Sequence, residues 1–288
     1  MKNLMKTMNG LKEKLDRLCD AQSFTTTWYV KDLKSNIEIH RAGEMPVPSQ
    51  STRKIVFMLA ALEAVHAGRL NLSQRMVIDE RLMQGVVSGV FYFMTPGLTI
   101  PLRDALVQMI ITSDNTCTSL VGEAVGLNAI NNYCQRLGMS ATLIRELVPP
   151  RDMPADHDFD FVAQTSAIDQ GNLLQMVLAG SQDDAAAQRL GCSQSLCQLA
   201  MEILIRQVYR TQLPAHLPLG TKVAHKTGTG KHGKMDAGIV FRNGKPRFVM
   251  TAYAVDVPVE MPDGMPGQHA ASEHLARMCR VCWDELGD

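Results

Sequence analysis

Hydrophobic positions recur at three- and four-residue intervals through most of the chain, and this spacing predicts amphipathic helices. The first covers about residues 4–20, where leucine and methionine side chains repeat along one face. A more apolar helix, about residues 52–67, follows Pro46 and Pro48 and ends near Gly68. Further helices are predicted at about 101–112, 115–124, 127–137, 166–180, 194–208 and 269–286.

Near both ends of the chain the hydrophobic pattern changes to the alternation that is typical of β-strands. An Asn243-Gly244 pair between the last two alternating segments is a strong hairpin signal. Strands are predicted at about 25–30, 36–40, 221–226, 237–242 and 247–255.

The order of these elements predicts two lobes. Residues 1–43 and 209–288 would together form an antiparallel sheet flanked by the terminal helices, and residues 44–208 would form an all-helical lobe. We therefore predict an α/β (α+β) chain whose active site lies in the cleft between the lobes, where ligand sites often occur.

Composition and charge exclude several partner classes. The chain has 288 residues, with 29 basic and 29 acidic side chains, so no global field attracts nucleic acid or an anionic membrane. No segment approaches the ~20 apolar residues of a membrane-spanning helix. The N-terminus also lacks the apolar run of a secretory signal, so we expect a cytoplasmic protein unless a leader was removed.

Seven cysteines lie in mostly apolar or helical contexts, which predicts reduced and buried thiols. Cys279 and Cys282 have the spacing of half a zinc site, but no second cysteine or histidine pair lies at a matching distance. We therefore expect neither a metal nor an organic cofactor.

The Ser51-Thr52-Arg53-Lys54 segment begins the second predicted helix and is a candidate for a nucleophile with its base. Unpaired N–H groups and the helix dipole favour negative charge developing at Ser51. Lys54 would lie one turn away on the same face, where a neutral amine can accept the hydroxyl proton. Taken alone, this segment is better explained as a helix cap followed by a solvated lysine.

A second candidate, Ser113-Asp114-Asn115, follows an apolar predicted helix. Ser113 would lie at the end of that helix with its hydroxyl free to relay a proton. All three residue types also favour helix boundaries, so capping explains the segment equally well.

The third candidate, Lys226-Thr227-Gly228-Thr229-Gly230, ends a predicted strand. A lysine on a buried strand is costly without a partner, and a substrate carboxylate could be that partner. The glycines let backbone approach a ligand, and the Thr229 N–H could join that of Ser51 in polarising a carbonyl. The simpler alternative is an edge-strand lysine followed by a turn.

The three segments, in this order, resemble the motifs of class A β-lactamases and penicillin-binding proteins. The resemblance extends from about residue 25 to residue 286, and the separations between the motifs are closest to those of the class A branch. It implies a two-lobed β-lactamase-like fold. Further matching segments are Pro96-Gly97-Leu98-Thr99, Val125-Gly126-Leu127, Leu137-Gly138-Met139 and Asp236-Ala237-Gly238-Ile239-Val240.

The resemblance also implies catalytic roles. Ser51 would be the nucleophile that forms an acyl-enzyme, and Lys54 would be its base or the partner of its base. Ser113 would relay a proton to the leaving nitrogen.

Substrate-binding roles follow from the same resemblance. Asn115 would hold the catalytic lysine and the substrate amide. Lys226, Thr227 and Gly228 would bind the substrate's anionic group, and the Thr229 N–H would complete the oxyanion hole with that of Ser51.

One part of the class A pattern is missing. Those enzymes carry a Glu-x-x-Leu-Asn sequence, whose glutamate activates water for deacylation, before the helix that begins here near residue 165. The corresponding residues, about 148–164, lack it. Asp152 within this segment and Glu146 just before it are candidate replacement acids, although a solvated surface explains the four aspartates of the segment better.

We therefore predict a serine hydrolase of the class A β-lactamase type that cleaves an amide, such as a β-lactam, related lactam or peptide, or an ester. A D-alanyl-D-alanine peptidase, an esterase or a biosynthetic acyl-transfer enzyme stays open, as does a non-catalytic protein that binds a carboxylate ligand. We expect a small substrate that bears a carboxylate, with Tyr92 contacting it at the cleft rim. The oligomeric state stays open.

Overall fold

Strands from both ends of the chain form one antiparallel sheet in the computed structural model, which describes residues 2–149 and 162–287, with only the backbone for residues 2–4. The strands are β1 (Thr25–Asp32), β2 (Ile37–Arg41), β3 (Val47–Pro48), β4 (Arg75–Ile78), β5 (Leu98–Pro101), β6 (Leu143–Ile144), β7 (Ala163–Thr165), β8 (Val223–Gly230), β9 (Gly233–Arg242) and β10 (Lys245–Val255). The main sheet has the order β2-β1-β10-β9-β8, and the remaining strands form two short sheets.

Helices cover both faces of this sheet and fill the middle of the chain. They are α1 (Lys2–Asp20), α2 (Lys54–His66), α3 (Leu102–Ile111), α4 (Asn115–Val125), α5 (Leu127–Arg136), α6 (Ala167–Gln182), α7 (Asp184–Arg189), α8 (Gln194–Ile205) and α9 (Gly267–Leu286). Within the described residues, no helix is both long and apolar enough to cross a membrane.

Side-chain alternation along the strands separates the two largest hydrophobic clusters of the described residues. Ile239 packs with the helices of the central segment, whereas its neighbour Val240 packs with α1 and α9. This is the result expected when successive strand residues point to opposite faces of a sheet. The sheet is therefore buried on both sides, and its edge strand β8 lies against the short 3-10 helix Gln50–Arg53 that leads into α2.

The predicted fold class is confirmed, and the predicted helices and strands are found within a few residues of their expected bounds. The six-residue α7 was not predicted because it is too short to show a period. β8 continues four residues past Lys226, and β9 begins at Gly233, so the hairpin is longer than the pattern indicated. All seven cysteines are buried free thiols, as predicted.

Helix α6 packs between the sheet and the helices of the central segment, and a glycine permits its close approach. A Cβ on Gly171 would lie 2.4 Å from Cδ1 of the fully buried Tyr29 on β1. That ring is held in place, since the Tyr29 hydroxyl donates to Glu38 at 2.7 Å and accepts from Gln175 at 2.9 Å. The approach of α6 to β1 therefore requires a residue without a side chain.

This packing predicts opposite effects for the same substitution in two helices. Gly171→Ala should lower the free energy of unfolding by about 1–3 kcal/mol because the new methyl overlaps the Tyr29 ring. Gly10→Ala in α1, where no atom lies within 4 Å of the added Cβ, should raise it by about 0.5–1 kcal/mol. Chemical denaturation measures both, and a Gly171→Ala protein as stable as the unmodified chain would contradict the packing.

Candidate active site

The segment that carries Ser51 is held between the sheet and strand β7. Ser51 lies in the 3-10 helix Gln50–Arg53, and Gln50 has φ +44°, a value that few non-glycine residues adopt. Thr52 fixes the next position, because its hydroxyl donates to the Ser49 carbonyl at 2.6 Å and lies 3.1 Å from the Tyr253 hydroxyl. Strained backbone of this kind persists where the surroundings impose it, and it is common at functional sites.

Lys54, three residues after Ser51, is fully buried. Its Nζ lies 2.7 Å from the Ser113 carbonyl oxygen, 2.7 Å from Asn115 Oδ1 and 3.1 Å from Ser113 Oγ. Burial, followed by the charges of Lys226 and Arg53, holds the pKa of the Lys54 amine well below its usual range.

In each of these contacts Nζ is the donor, which matches the three hydrogens of the ammonium form. The neutral form, which the lowered pKa favours, keeps two donors for the Ser113 carbonyl and Asn115 Oδ1, and its lone pair can accept the Ser113 hydroxyl hydrogen. Lys54 Nζ and Ser113 Oγ are thus close enough to exchange a proton. The 3-10 helix that carries Ser51 directly precedes Lys54.

The backbone of the Ser113-Asp114-Asn115 segment turns sharply between α3 and α4. Ser113 has φ +57°, and the fully buried Asp114 caps α4 by accepting from Cys117 N at 2.9 Å. The other Asp114 oxygen accepts from Val90 N at 2.7 Å and from Phe91 N at 2.8 Å. One carboxylate therefore positions both the motif and the facing segment.

Asn115 builds the adjacent cleft wall. Its side-chain amide donates to the Val86 carbonyl at 2.7 Å, and its backbone N–H donates to the Ser88 carbonyl at 2.9 Å. Val86 N in turn donates to the Pro149 carbonyl at 3.0 Å. These contacts join the motif to residues 86–88 and, through them, to the segment that precedes the undescribed residues 150–161.

The third motif lies on β8, beside Ser51. A Cβ on Gly228 would lie 3.3 Å from the Ser51 backbone N, so the absence of a side chain lets the strand and the segment that carries Ser51 approach closely. Lys226 is fully buried and donates to the Thr227 carbonyl at 2.8 Å. Burial lowers the pKa of Lys226 to about 7, although the charge of Asp236 opposes the shift.

Lys234 is a cleft residue that the sequence analysis missed. It lies opposite Thr229 in the register of β8 and β9, and its Nζ donates to Thr229 Oγ1 at 3.1 Å. Burial lowers the pKa of its amine. The hairpin register is the signal that would have found it, since opposite residues of an antiparallel pair point to the same side of a sheet.

A buried pair, His225 on β8 and Asp236 on β9, joins the two strands at this sheet edge. His225 Nδ1 lies 3.0 Å from the Asp236 carboxylate, and both side chains are fully buried. The same carboxylate accepts from Leu213 N at 3.2 Å. Asp236 thus ties strand β9 to Leu213, the residue that follows the cleft-lining Thr211 and Gln212.

The three motifs meet at one cleft of about 400 Å³. Lys54, Lys226 and Gly228 lie in its walls, behind the lining side chains. A larger cavity of about 530 Å³ between α2, α4 and α5 contains no motif residue. The cleft is lined by Gln50, Ser51, Arg53, Val86, Val87, Ser88, Ser113, Asn115, Pro149, Tyr209, Thr211, Gln212, Thr227, Thr229 and Lys234.

Tyr92, expected at the rim, is not among these lining residues. It is half-buried against the hydrophobic cluster that contains Ile239 and the helices of the central segment. Its ring packs edge-to-face against Phe93, with ring centroids 5.1 Å apart. Tyr209 lies at the cleft instead, with its hydroxyl donating to the Thr112 carbonyl at 3.2 Å. The sequence alone did not distinguish an aromatic residue that packs on the hydrophobic cluster from one that lines the cleft.

Of the two candidate deacylation acids, only Glu146 lies within the described residues. Asp152 lies outside the described residues, as do the other aspartates of that segment. Glu146 is described, and its negative charge acts on Arg53, but it is not among the cleft-lining residues. In the described part of the chain, no three His, Cys, Asp or Glu side chains are grouped in a way that could hold a metal ion.

Known proteins resemble this chain over most of its length. It is 27% identical to the extended-spectrum β-lactamase PER-1 of Pseudomonas aeruginosa over 212 residues, which are 70% of this chain and 66% of that protein. The structure of PBP-A matches with a TM-score of 0.80 and 24% identity, covering 96% of this chain and 95% of PBP-A. A mutant of PBP-A in an acyl-enzyme complex with penicillin G matches with the same TM-score and 25% identity, covering 96% of each chain.

The family-level comparison covers nearly the whole chain. The sequence profile of the β-lactamase enzyme family matches residues 10–286. That range includes all three motifs and every strand of the main sheet. Since the profile and the fold agree, the chain belongs to the β-lactamase enzyme family and is a hydrolase of its serine-dependent type.

Proposed function

We propose that this protein opens amide bonds of carboxylate-bearing substrates, β-lactams among them, through an acyl intermediate on Ser51. The observation that carries the proposal is the buried Lys54 amine, which contacts Ser113 and Asn115 one helical turn from Ser51. The penicillin G acyl-enzyme of the related PBP-A mutant supports β-lactams as a probe.

In the acylation step, the Ser51 hydroxyl oxygen attacks the carbonyl carbon while its proton moves to the neutral Lys54 amine. The carbon–nitrogen bond then breaks, and Ser113 passes a proton from Lys54 to the leaving nitrogen. The backbone N–H groups of Ser51 and Thr229 would stabilise the oxyanion between these events, because β8 presents its free edge to the nucleophile segment.

The sheet side of the cleft would bind the substrate carboxylate. Thr227 and Thr229 provide hydroxyl groups there, and Lys234 provides a cation that lines the cleft. Lys226 lies fully buried behind Thr227. A carboxylate in this position satisfies donors that are otherwise costly to bury.

A second candidate function follows from the missing Glu-x-x-Leu-Asn sequence. Without a well-placed base, water attacks the acyl-enzyme slowly, and the same cleft would then suit a D-alanyl-D-alanine peptidase or an acyl-transfer enzyme. Both functions share acylation of Ser51 and differ in the lifetime of the ester.

Intact-mass spectrometry of the protein mixed with benzylpenicillin tests acylation. We expect one adduct of the full penicillin mass on the native protein, because opening the lactam ring loses no atoms. The adduct should be absent in Ser51→Ala and should form at least about a hundredfold more slowly in Lys54→Met, the range expected for loss of a general base.

Two results would contradict the proposal: no adduct on the folded native protein, or an adduct that persists in Ser51→Ala. The decay of the adduct separates the two candidate functions. Loss within minutes indicates a β-lactamase, whereas persistence for hours indicates the peptidase or transferase type.

The pH dependence of acylation should be bell-shaped. Acylation needs neutral Lys54, so the rate should rise with pH as the depressed pKa of that amine is passed. Carboxylate binding needs protonated Lys226, whose pKa is about 7, so kcat/KM should fall again above that value. Lys226→Arg keeps its charge and should move the descending limb to higher pH. An unchanged limb in this variant would show that Lys226 is not the titrating group.

A further inference from the structure

A buried arginine lies in the cleft two residues after Ser51. Arg53 is only 6% exposed, yet it lines the cleft. Its Nη2 donates to the Leu147 carbonyl at 2.9 Å, while its Nε is buried and has no hydrogen-bond partner among residues 2–149 and 162–287. A guanidinium has five N–H donors in a planar fork, so the one carbonyl that the described residues supply leaves most of its capacity unused.

Burying this cation without a full set of partners is costly. Burial lowers the pKa of Arg53 to about 10, and the charge of Glu146 only partly opposes that shift. The group therefore stays protonated near neutral pH, and a buried charge with few acceptors is costly to keep. Such a cost is offset when a ligand supplies the missing acceptors.

Arg53 and Lys234 both line the cleft, but different parts of the chain hold them. The Arg53 guanidinium donates to the Leu147 carbonyl, in the segment whose Pro149 also lines the cleft. Lys234 donates to Thr229 on the sheet. If the carbonyl of a substrate lies at Ser51 and its carboxylate on the sheet, its acyl portion has the part of the cleft that Arg53 lines left to occupy.

We propose that Arg53 forms a second anion subsite, which binds a carboxylate on the acyl side of the substrate. This inference rests on the proposed function and narrows it: the preferred substrates are amides with two carboxylates, one on each side of the bond that is broken. The planar guanidinium suits a carboxylate, since it can donate two parallel N–H bonds to the two carboxylate oxygens.

Two penicillins provide a matched pair of probes. Carbenicillin is benzylpenicillin with one added carboxylate on the carbon next to the side-chain carbonyl. Acylation rate constants for both, measured by intact mass, give a carbenicillin-to-benzylpenicillin ratio. Arg53→Met should lower this ratio about tenfold, the effect of losing one charge-assisted contact. Loss of the Arg53 charge also raises the pKa of Lys54, but that effect slows both penicillins alike and cancels in the ratio.

Lys234→Met is the matched control on the sheet side. Both penicillins carry the carboxylate that Lys234 would bind, so this variant should slow both and leave their ratio unchanged. Arg53→Lys keeps the cation without the fork and should give an intermediate ratio. Equal ratios in the native, Arg53→Lys and Arg53→Met proteins would overturn the proposal.

The subsite can still be tested if the native protein is not acylated or if the Arg53→Met variant does not fold. If neither penicillin modifies the native protein, the proposed function fails, and calorimetric binding of both compounds to Ser51→Ala still measures the ratio with and without Arg53→Met. If circular dichroism shows Arg53→Met to be unfolded, Glu146→Gln replaces it. Removing that carboxylate should raise the preference for carbenicillin, and an unchanged preference would count against the subsite.

Discussion

The position of the Lys54 amine is the constraint on which the cleft depends. Its three contacts join the helix that follows Ser51 to the turn that holds Ser113 and Asn115. Helix α2 can hold this amine in the interior because the helix itself is packed on nearly all sides by apolar side chains. The same burial disfavours the ammonium form, so the packing that fixes the amine also favours the neutral form that the proposed base needs.

Cations are concentrated in this cleft, although the chain as a whole has no net charge. Lys226 and Arg53 both act on Lys54 and depress its pKa further. The cations that would bind substrate anions thus also keep the base deprotonated before substrate arrives. A substrate anion that enters the cleft would partly cancel the effect of these cations on the Lys54 pKa. That pKa would then rise when the substrate is bound, which is when Lys54 would accept the proton.

Much of this arrangement could be predicted from the sequence, and the misses have physical causes. Periodicity found every described α-helix except α7, and the strands of the main sheet, because each buries one continuous face. The strands β3 to β7 were missed because they are too short to show a period. Lys234 was missed because its place depends on the hairpin register rather than on its neighbours in sequence. Arg53 lies inside a motif that was interpreted through its first and last residues. Its burial depends on Leu147, which is remote in the chain.

The electrostatics of the cleft also bear on hydrolysis of the acyl-enzyme. A carboxylate that approaches the acyl side of Ser51 comes under the field of Arg53, and a nearby guanidinium lowers the pKa of a carboxyl group. A carboxylate with a lowered pKa is a weaker base toward water. Under the proposed function, the charge that would bind a dianionic substrate would therefore work against activation of water at the same place. Such a cleft would favour formation of the ester over its hydrolysis, unless a base reached the ester from another direction.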